Sequence, residues 1–197
     1  MPRKNPNPDI THIGSRVPTP DEVVIVPQPI LRTSIKILEK LKNNMQAKWA
    51  IGGDAGEVLL GVNVHPEHVE ILTTKEGTDE IWSKMAEYRT LAPAVVEKNL
   101  SKEADVDGKM LPVYIKSYYA ELAIDGVKVE VYGDEQIKVG DWEWGDPLDY
   151  TADYTYISGG KLPVVPLSLK SELDLGLGWL DSVKLISDAV LQKHHGH

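Results

Sequence analysis

Three side chains able to take up a cation or a proton stand out in the chain: His68, Glu70 and Glu130. The first two flank Val69 in His68-Val69-Glu70-Ile71-Leu72-Thr73, and the third sits among valines in Val127-Lys128-Val129-Glu130-Val131-Tyr132. An extended chain alternates its side chains, so His68 and Glu70 point one way and Val69, Ile71 and Thr73 the other. Glu130 in turn shares a face with Lys128 and Tyr132. If the two strands lie side by side, the three groups meet on one face. One or two carboxylates are enough to hold Mg²⁺ when substrate phosphates complete its shell. Imidazole is a better ligand for Mn²⁺ or Zn²⁺ than for Mg²⁺. Upstream, Trp49-Ala50-Ile51-Gly52-Gly53-Asp54 places two glycines after an apolar strand. With no Cβ in the way, backbone N–H groups of such a turn can approach a phosphate closely.

Plainer readings stand beside these. Glu130 and Lys128 fit the solvated face of an antiparallel hairpin equally well. His65, Glu67, His68 and Glu70 form an exposed acidic loop as readily as a metal cluster. Glu67 falls on the opposite face from Glu70 unless a bulge re-aims it. The terminal His194-His195-Gly196-His197 reads as a frayed end rather than a dedicated metal site. Lys75 and Lys184 can meet phosphates or serve as ordinary surface lysines. Trp142 and Trp144 have strand spacing and share a face, which suits packing as well as base stacking.

The elements that must position these groups follow from periodicity. Residues 1–22 are rich in Pro and Asn and form a flexible segment; 23–197 reads as one domain. Ser34 is the expected N-cap of a helix running to Gln46, with Ile35, Leu38, Leu41 and Met45 as its apolar stripe. Strands are expected at 48–51 and 69–73, separated by a short helix over 54–60. A helix follows over 76–88, and 89–111 reads as irregular. Tyr114–Ile124 and Val127–Tyr132 flank Asp125-Gly126, which predicts a type I′ hairpin. A further β region spans 136–165 with a turn at Gly159-Gly160, and helices over 168–175 and 181–193 close the chain. The order predicts a mixed sheet flanked by helices, an α/β (α+β) fold.

Composition narrows the classes of function. With 21 basic and 30 acidic residues the formal charge is −9, which disfavours extended binding to a phosphate backbone. No apolar run is long enough to cross a bilayer, and the N-terminus lacks the apolar core of a secretory signal. Cysteine is absent, so disulfides, thiolate metal sites and a cysteine nucleophile are excluded. A cytoplasmic location is the expectation.

The order Gly-Gly turn, short helix, polar-paired strand, then an isolated acid on a hairpin strand resembles the nucleotidyltransferase superfamily. That superfamily carries a Gly-Gly or Gly-Ser turn, Asp-x-Asp on the next strand and a third acid later. The chain is most similar to minimal prokaryotic nucleotidyltransferase-like proteins, whose motif strand runs on into Leu-Thr-Thr, here Ile71-Leu72-Thr73-Thr74-Lys75. Val127 to Asp134 resembles their third-acid strand, and Gly178-Trp179-x-Asp181-x-x-Lys184 their late basic segment. The resemblance covers about residues 35–135 best. It implies a nucleotidyltransferase-type fold, a nucleoside triphosphate and Mg²⁺ or Mn²⁺, an acceptor or protein partner of unstated identity, and Glu70 and Glu130 as catalytic acids. It implies His68, Glu70 and Glu130 at the metal, with Gly52, Gly53, Asp54, Lys75 and Lys184 toward the nucleotide. Two positions depart from the pattern. His68 replaces an acid and cannot supply an anionic oxygen, and Asp54 replaces a small hydroxyl residue and would repel a triphosphate without a cation between them. An inactive relative that binds or regulates through the same fold is the alternative reading.

Overall fold

The structure is a computed structural model and describes residues 24–195. The segment expected to be flexible, 1–22, and the last two residues of the His-rich tail lie outside them. Seven strands form one mixed sheet: β1 (Trp49–Gly52), β2 (Val69–Thr73), β3 (Arg89–Val106), β4 (Lys109–Ile124), β5 (Val127–Val139), β6 (Asp153–Ile157) and β7 (Gly160–Val164). Their order across the sheet is β3-β4-β5-β2-β1-β7-β6. The pairs β2–β5 and β1–β7 are parallel, and the other four are antiparallel. Five helices accompany the sheet: α1 (Gln28–Leu41), α2 (Gly53–Leu59), α3 (Lys75–Lys84), α4 (Leu167–Gly176) and α5 (Leu180–His195).

One face of the sheet makes the main core. Val69 and Ile71 of β2 and Val129 and Val131 of β5 pack in one cluster with Ile37 and Leu41 of α1 and Ile81 of α3. Alternation then sends Glu70, Glu130 and Tyr132 to the other face. Removing such side chains from water, at roughly 25 cal/mol per Å² of apolar surface, is what fixes which face of each strand turns inward.

Local chemistry sets the boundaries. Helix α1 starts earlier than the Ser34 cap predicts, because Pro29 sits in its first turn where a missing N–H costs nothing. Ser34 is instead buried inside the helix, its hydroxyl without a partner among the described residues. Thr74 caps α3 by accepting a 3.1 Å hydrogen bond from the Gly77 N–H. Asp125 and Gly126 both have positive φ, 52° and 82°, as a type I′ turn requires.

The largest correction concerns residues 89–111. Most of that stretch is the 18-residue strand β3, interrupted by shifts in register. It is a sheet edge, largely exposed on both faces, so charged residues replace the apolar alternation that marks an inner strand. Trp142 and Trp144 are also placed differently from the expectation. Strand β5 ends at Val139, and residues 141–152 run without strand structure, with Trp142 exposed.

Candidate functional site

The register between β2 and β5 pairs Glu70 directly with Glu130. His68 lies just before β2, and its ring reaches both acids. Nε2 is 3.0 Å from Glu70 Oε1 and 3.1 Å from Glu130 Oε2. One ligand atom from each of the three residues lies within 4.8 Å of the others, so one ion can touch all of them. The two nitrogen–oxygen spacings also match the roughly 3.0 Å edge of an octahedron built with ~2.1 Å bonds. The donor set therefore fits a divalent cation, and two oxygens with one imidazole suit Mn²⁺ better than Mg²⁺.

Glu130 is the buried member, 6% exposed. Burial pushes its pKa upward, but hydrogen bonds from Lys128, Tyr119 and Tyr132 outweigh that and hold it at about 2. The bonds measure 2.9 Å from Lys128 Nζ, 2.8 Å from Tyr119 Oη and 2.9 Å from Tyr132 Oη. Lys98 adds its charge at 3.7 Å while lying over the Tyr119 ring. The same geometry pushes both tyrosine hydroxyls up: burial is the main cause, and the Glu130 carboxylate adds to it. His68 is raised chiefly by its hydrogen bond to Glu70; partial burial opposes this and both carboxylates add to it.

The glycine turn abuts these acids. Gly53 has φ +55°, and a Cβ there would stand 2.5 Å from the Glu70 carboxyl carbon. Glycine is thus required twice, for its backbone angle and for the room it leaves a carboxylate. Asp54 is exposed at the start of α2, and Glu67 is exposed and outside the trio. Lys75 stands over the ring of Tyr118, on the face opposite Tyr119 and the acids. Lys184 is exposed on α5. Neither lysine is among the ion pairs or the cavity walls near the trio.

A cavity of about 190 Å³ opens beside Glu70 and the Gly52–Gly53 turn. Its walls are mostly apolar and include Leu100, Ile115, Ile137, Leu148, Leu173 and Leu177. Glu135, Lys170, Asp174 and Trp179 also reach it. Asp174 is fully buried and held by Lys170 and Ser182. Lys170 lies 3.6 Å from Glu57, whose carboxyl burial pushes up to about 7.

The family's sequence profile, described as aminoglycoside-2″-adenylyltransferase, matches residues 34–179. The chain belongs to this family. No curated protein matches it. Among solved structures, a protein from Thermotoga maritima described as a nucleotidyltransferase is 28% identical, with a TM-score of 0.62 over 85% of this chain and 96% of that one. A lincomycin-bound lincosamide adenylyltransferase is 11% identical, with a TM-score of 0.44 over 82% of this chain and 97% of that one. An aminoglycoside enzyme, ANT(2″)-Ia with adenylyl-2″-tobramycin, is also 11% identical, with a TM-score of 0.39 over 84% of this chain and 94% of that one. Family and fold together make this chain a nucleotidyltransferase-like protein. Among the described residues, no helix is long and apolar enough to cross a membrane.

Several groups at this site are not visible from motif spacing. Lys98 lies in the stretch that reads as irregular, and Tyr119 becomes relevant only through cross-strand pairing with Tyr132. Glu135 is hidden by a bulge. Tyr118 pairs with Gly133 and Lys116 with Gln136, so β5 carries one extra residue there. Counting by twos from Glu130 selects Asp134, but Asp134 takes φ +48° and Glu135 lines the cavity instead.

Proposed function

We propose that the protein transfers a nucleotidyl group from a nucleoside triphosphate to a small-molecule acceptor. The acceptor's nucleophilic atom bonds to the α-phosphorus, and pyrophosphate leaves. Glu70 and Glu130, with His68 beside them, would hold a divalent cation, which when bound supplies positive charge to the phosphates. Glu130, ionised at any physiological pH, gives the site a permanent anionic oxygen. The Gly52–Gly53 turn would receive the β- and γ-phosphates on backbone N–H groups, and the cation would offset the charge of Asp54. The acceptor would lie in the cavity next to Glu70. The observation that carries this reading is the packing of Gly53 against the Glu70 carboxylate, which puts the glycine turn and the metal-capable acids in one place.

Calorimetry with ATP or GTP, with and without Mn²⁺, tests it, together with pyrophosphate release over a panel of small hydroxyl and amine acceptors. Binding that needs Mn²⁺ and disappears in Glu70→Ala is the expected result. Failure of both binding and transfer would falsify the reading.

One observation favours a second reading, a binding protein without catalysis. His68 already bridges the two carboxylates, and its raised pKa favours the imidazolium, which neutralises the charge a metal would otherwise balance. On that reading Glu70→Ala leaves the cellular role intact and Mn²⁺ does not bind at pH 7.

A further inference from the structure

Three carboxylates reach the cavity between β5 and α4, and two of them are already partnered. Glu70 is bonded to His68, and Asp174 to Lys170 and Ser182. The third, Glu135, has no side-chain hydrogen bond or ion pair among the described residues. It is only partly exposed, and it lines the cavity. Its backbone is firmly placed. The Leu148 N–H donates to the Glu135 carbonyl at 2.9 Å, and Tyr150 Oη donates to the Leu72 carbonyl at 3.1 Å, which ties the segment after β5 back over the sheet. The bulge at Asp134, with a non-glycine residue at positive φ, is what turns Glu135 inward. A partly desolvated carboxylate without a partner costs stability, and a ligand that supplies the missing charge removes that cost.

The charges around Glu135 lean acidic. Burial and Glu70 both resist its ionisation, and among the described residues only Lys98 favours it. Lys98 is itself engaged at 3.7 Å from Glu130 and over the Tyr119 ring. Lys170 is shared between Asp174 and Glu57. The remaining walls are apolar, and about 190 Å³ is of the order of a single ring, since a dry cavity of ~150 Å³ accepts benzene.

We propose that Glu135 is a specificity residue that holds the protonated amine of a compact, one-ring acceptor seated in this cavity. The name acceptor rests on the nucleotidyl-transfer reading; the binding itself does not. The ring fills the space between Leu173, Leu177 and Ile137, and the ammonium meets Glu135. The arrangement selects against a carboxylate in the same place, because Glu70, Glu135 and Asp174 would all repel it.

The test uses the full chain at pH 8 without nucleotide or metal, and three probes of one size: benzylamine, benzyl alcohol and benzoate. Thermal melting and calorimetry read the binding. Benzylamine is expected to bind at least about tenfold more tightly than benzyl alcohol, with no measurable binding of benzoate. Glu135→Gln should bring the amine down to the alcohol, and Glu135→Asp should keep a preference for the amine. Leu173→Trp, which fills the cavity, should abolish both. Equal binding of amine and alcohol by the unmodified protein overturns the proposal. So does an amine preference that survives Glu135→Gln, or one that is lost in Glu70→Ala instead. A protein that binds benzylamine through Glu135 but transfers nothing sinks the transfer reading and leaves this one standing. A protein that transfers nucleotide with no amine preference does the reverse.

Discussion

Glu130 and Glu135 lie on one strand and face one side of the sheet, yet they are opposite kinds of acid. Glu130 is buried among two tyrosines and a lysine that all donate to it, and its pKa falls to about 2. Glu135 is partly exposed with no side-chain donor among the described residues, and burial, helped by Glu70, pushes it up to about 7. Residue type says nothing of this difference. What separates the two is the supply of hydrogen-bond donors: Lys128 and Tyr132 flank Glu130 on β5 itself, β4 brings Tyr119 beside it, and β3 adds the charge of Lys98. One carboxylate is committed to a fixed charge, and the other waits for a partner.

The comparison breaks most forcefully at Glu130. Glu130→Gln strands Lys128 and weakens both tyrosine bonds, so urea denaturation should show a loss of about 3 kcal/mol, and Mn²⁺ binding should vanish. The sign of the pH dependence follows. Glu130 titrates near 4.5 when unfolded and at about 2 when folded, so its contribution is complete above pH 4.5 and is lost as pH falls toward 2. Glu135 runs the other way. Its folded pKa of about 7 lies above the unfolded value of 4.5, so the fold loses stability as pH rises from 4.5 through 7. Glu135→Gln should therefore stabilise the metal-free protein at pH 8 by about 2 kcal/mol and have little effect at pH 4. Denaturation curves of Glu135→Gln at pH 4 and pH 8, and of Glu130→Gln at pH 2.5 and pH 6, check the two signs. Destabilisation of Glu135→Gln at pH 8 would make the two acids alike.

Smaller changes sharpen the contrast without removing either acid. Gly53→Ala forces a side chain toward the Glu70 carboxyl at a positive φ, so a loss of about 1–2 kcal/mol and weaker Mn²⁺ binding are expected, with Glu135 unaffected. Asp134→Gly relieves the bulge of a left-handed non-glycine residue and should change stability by only about 0.5 kcal/mol. Preserved benzylamine binding in that variant would show that the extra residue, and not the identity of Asp134, aims Glu135.

Legibility from sequence divides along similar lines. The β1–α2–β2 unit could be read because its signals are local: an apolar run, two glycines and strict alternation after His68. The hairpin at Asp125-Gly126 was equally plain, since both residues tolerate a left-handed backbone. The pairing of Glu70 with Glu130 was open, because alternation gives a face and not a neighbour. Strand β3 escaped because an exposed edge carries charges where an inner strand carries valines. Glu135 escaped because a bulge shifts parity by one, and no residue in Gly133-Asp134-Glu135 announces it. Lys170 and Asp174 are four apart on α4 and meet by helix geometry, but Ser182 joins them only through the packing of α4 on α5, to which no short motif points.

The parallel pairing of β2 with β5 has a consequence for how the molecule matures. Glu70 and Glu130 come from segments separated by α3 and the whole of β3 and β4, so their meeting belongs to the slow, long-loop part of folding. A chain still emerging from a ribosome before β5 is made has the glycine turn and two of the trio, but not the buried acid that completes the place for a cation. Metal affinity thus reports completion of the central sheet. Any ligand that spans the two acids draws the population toward the finished fold by mass action.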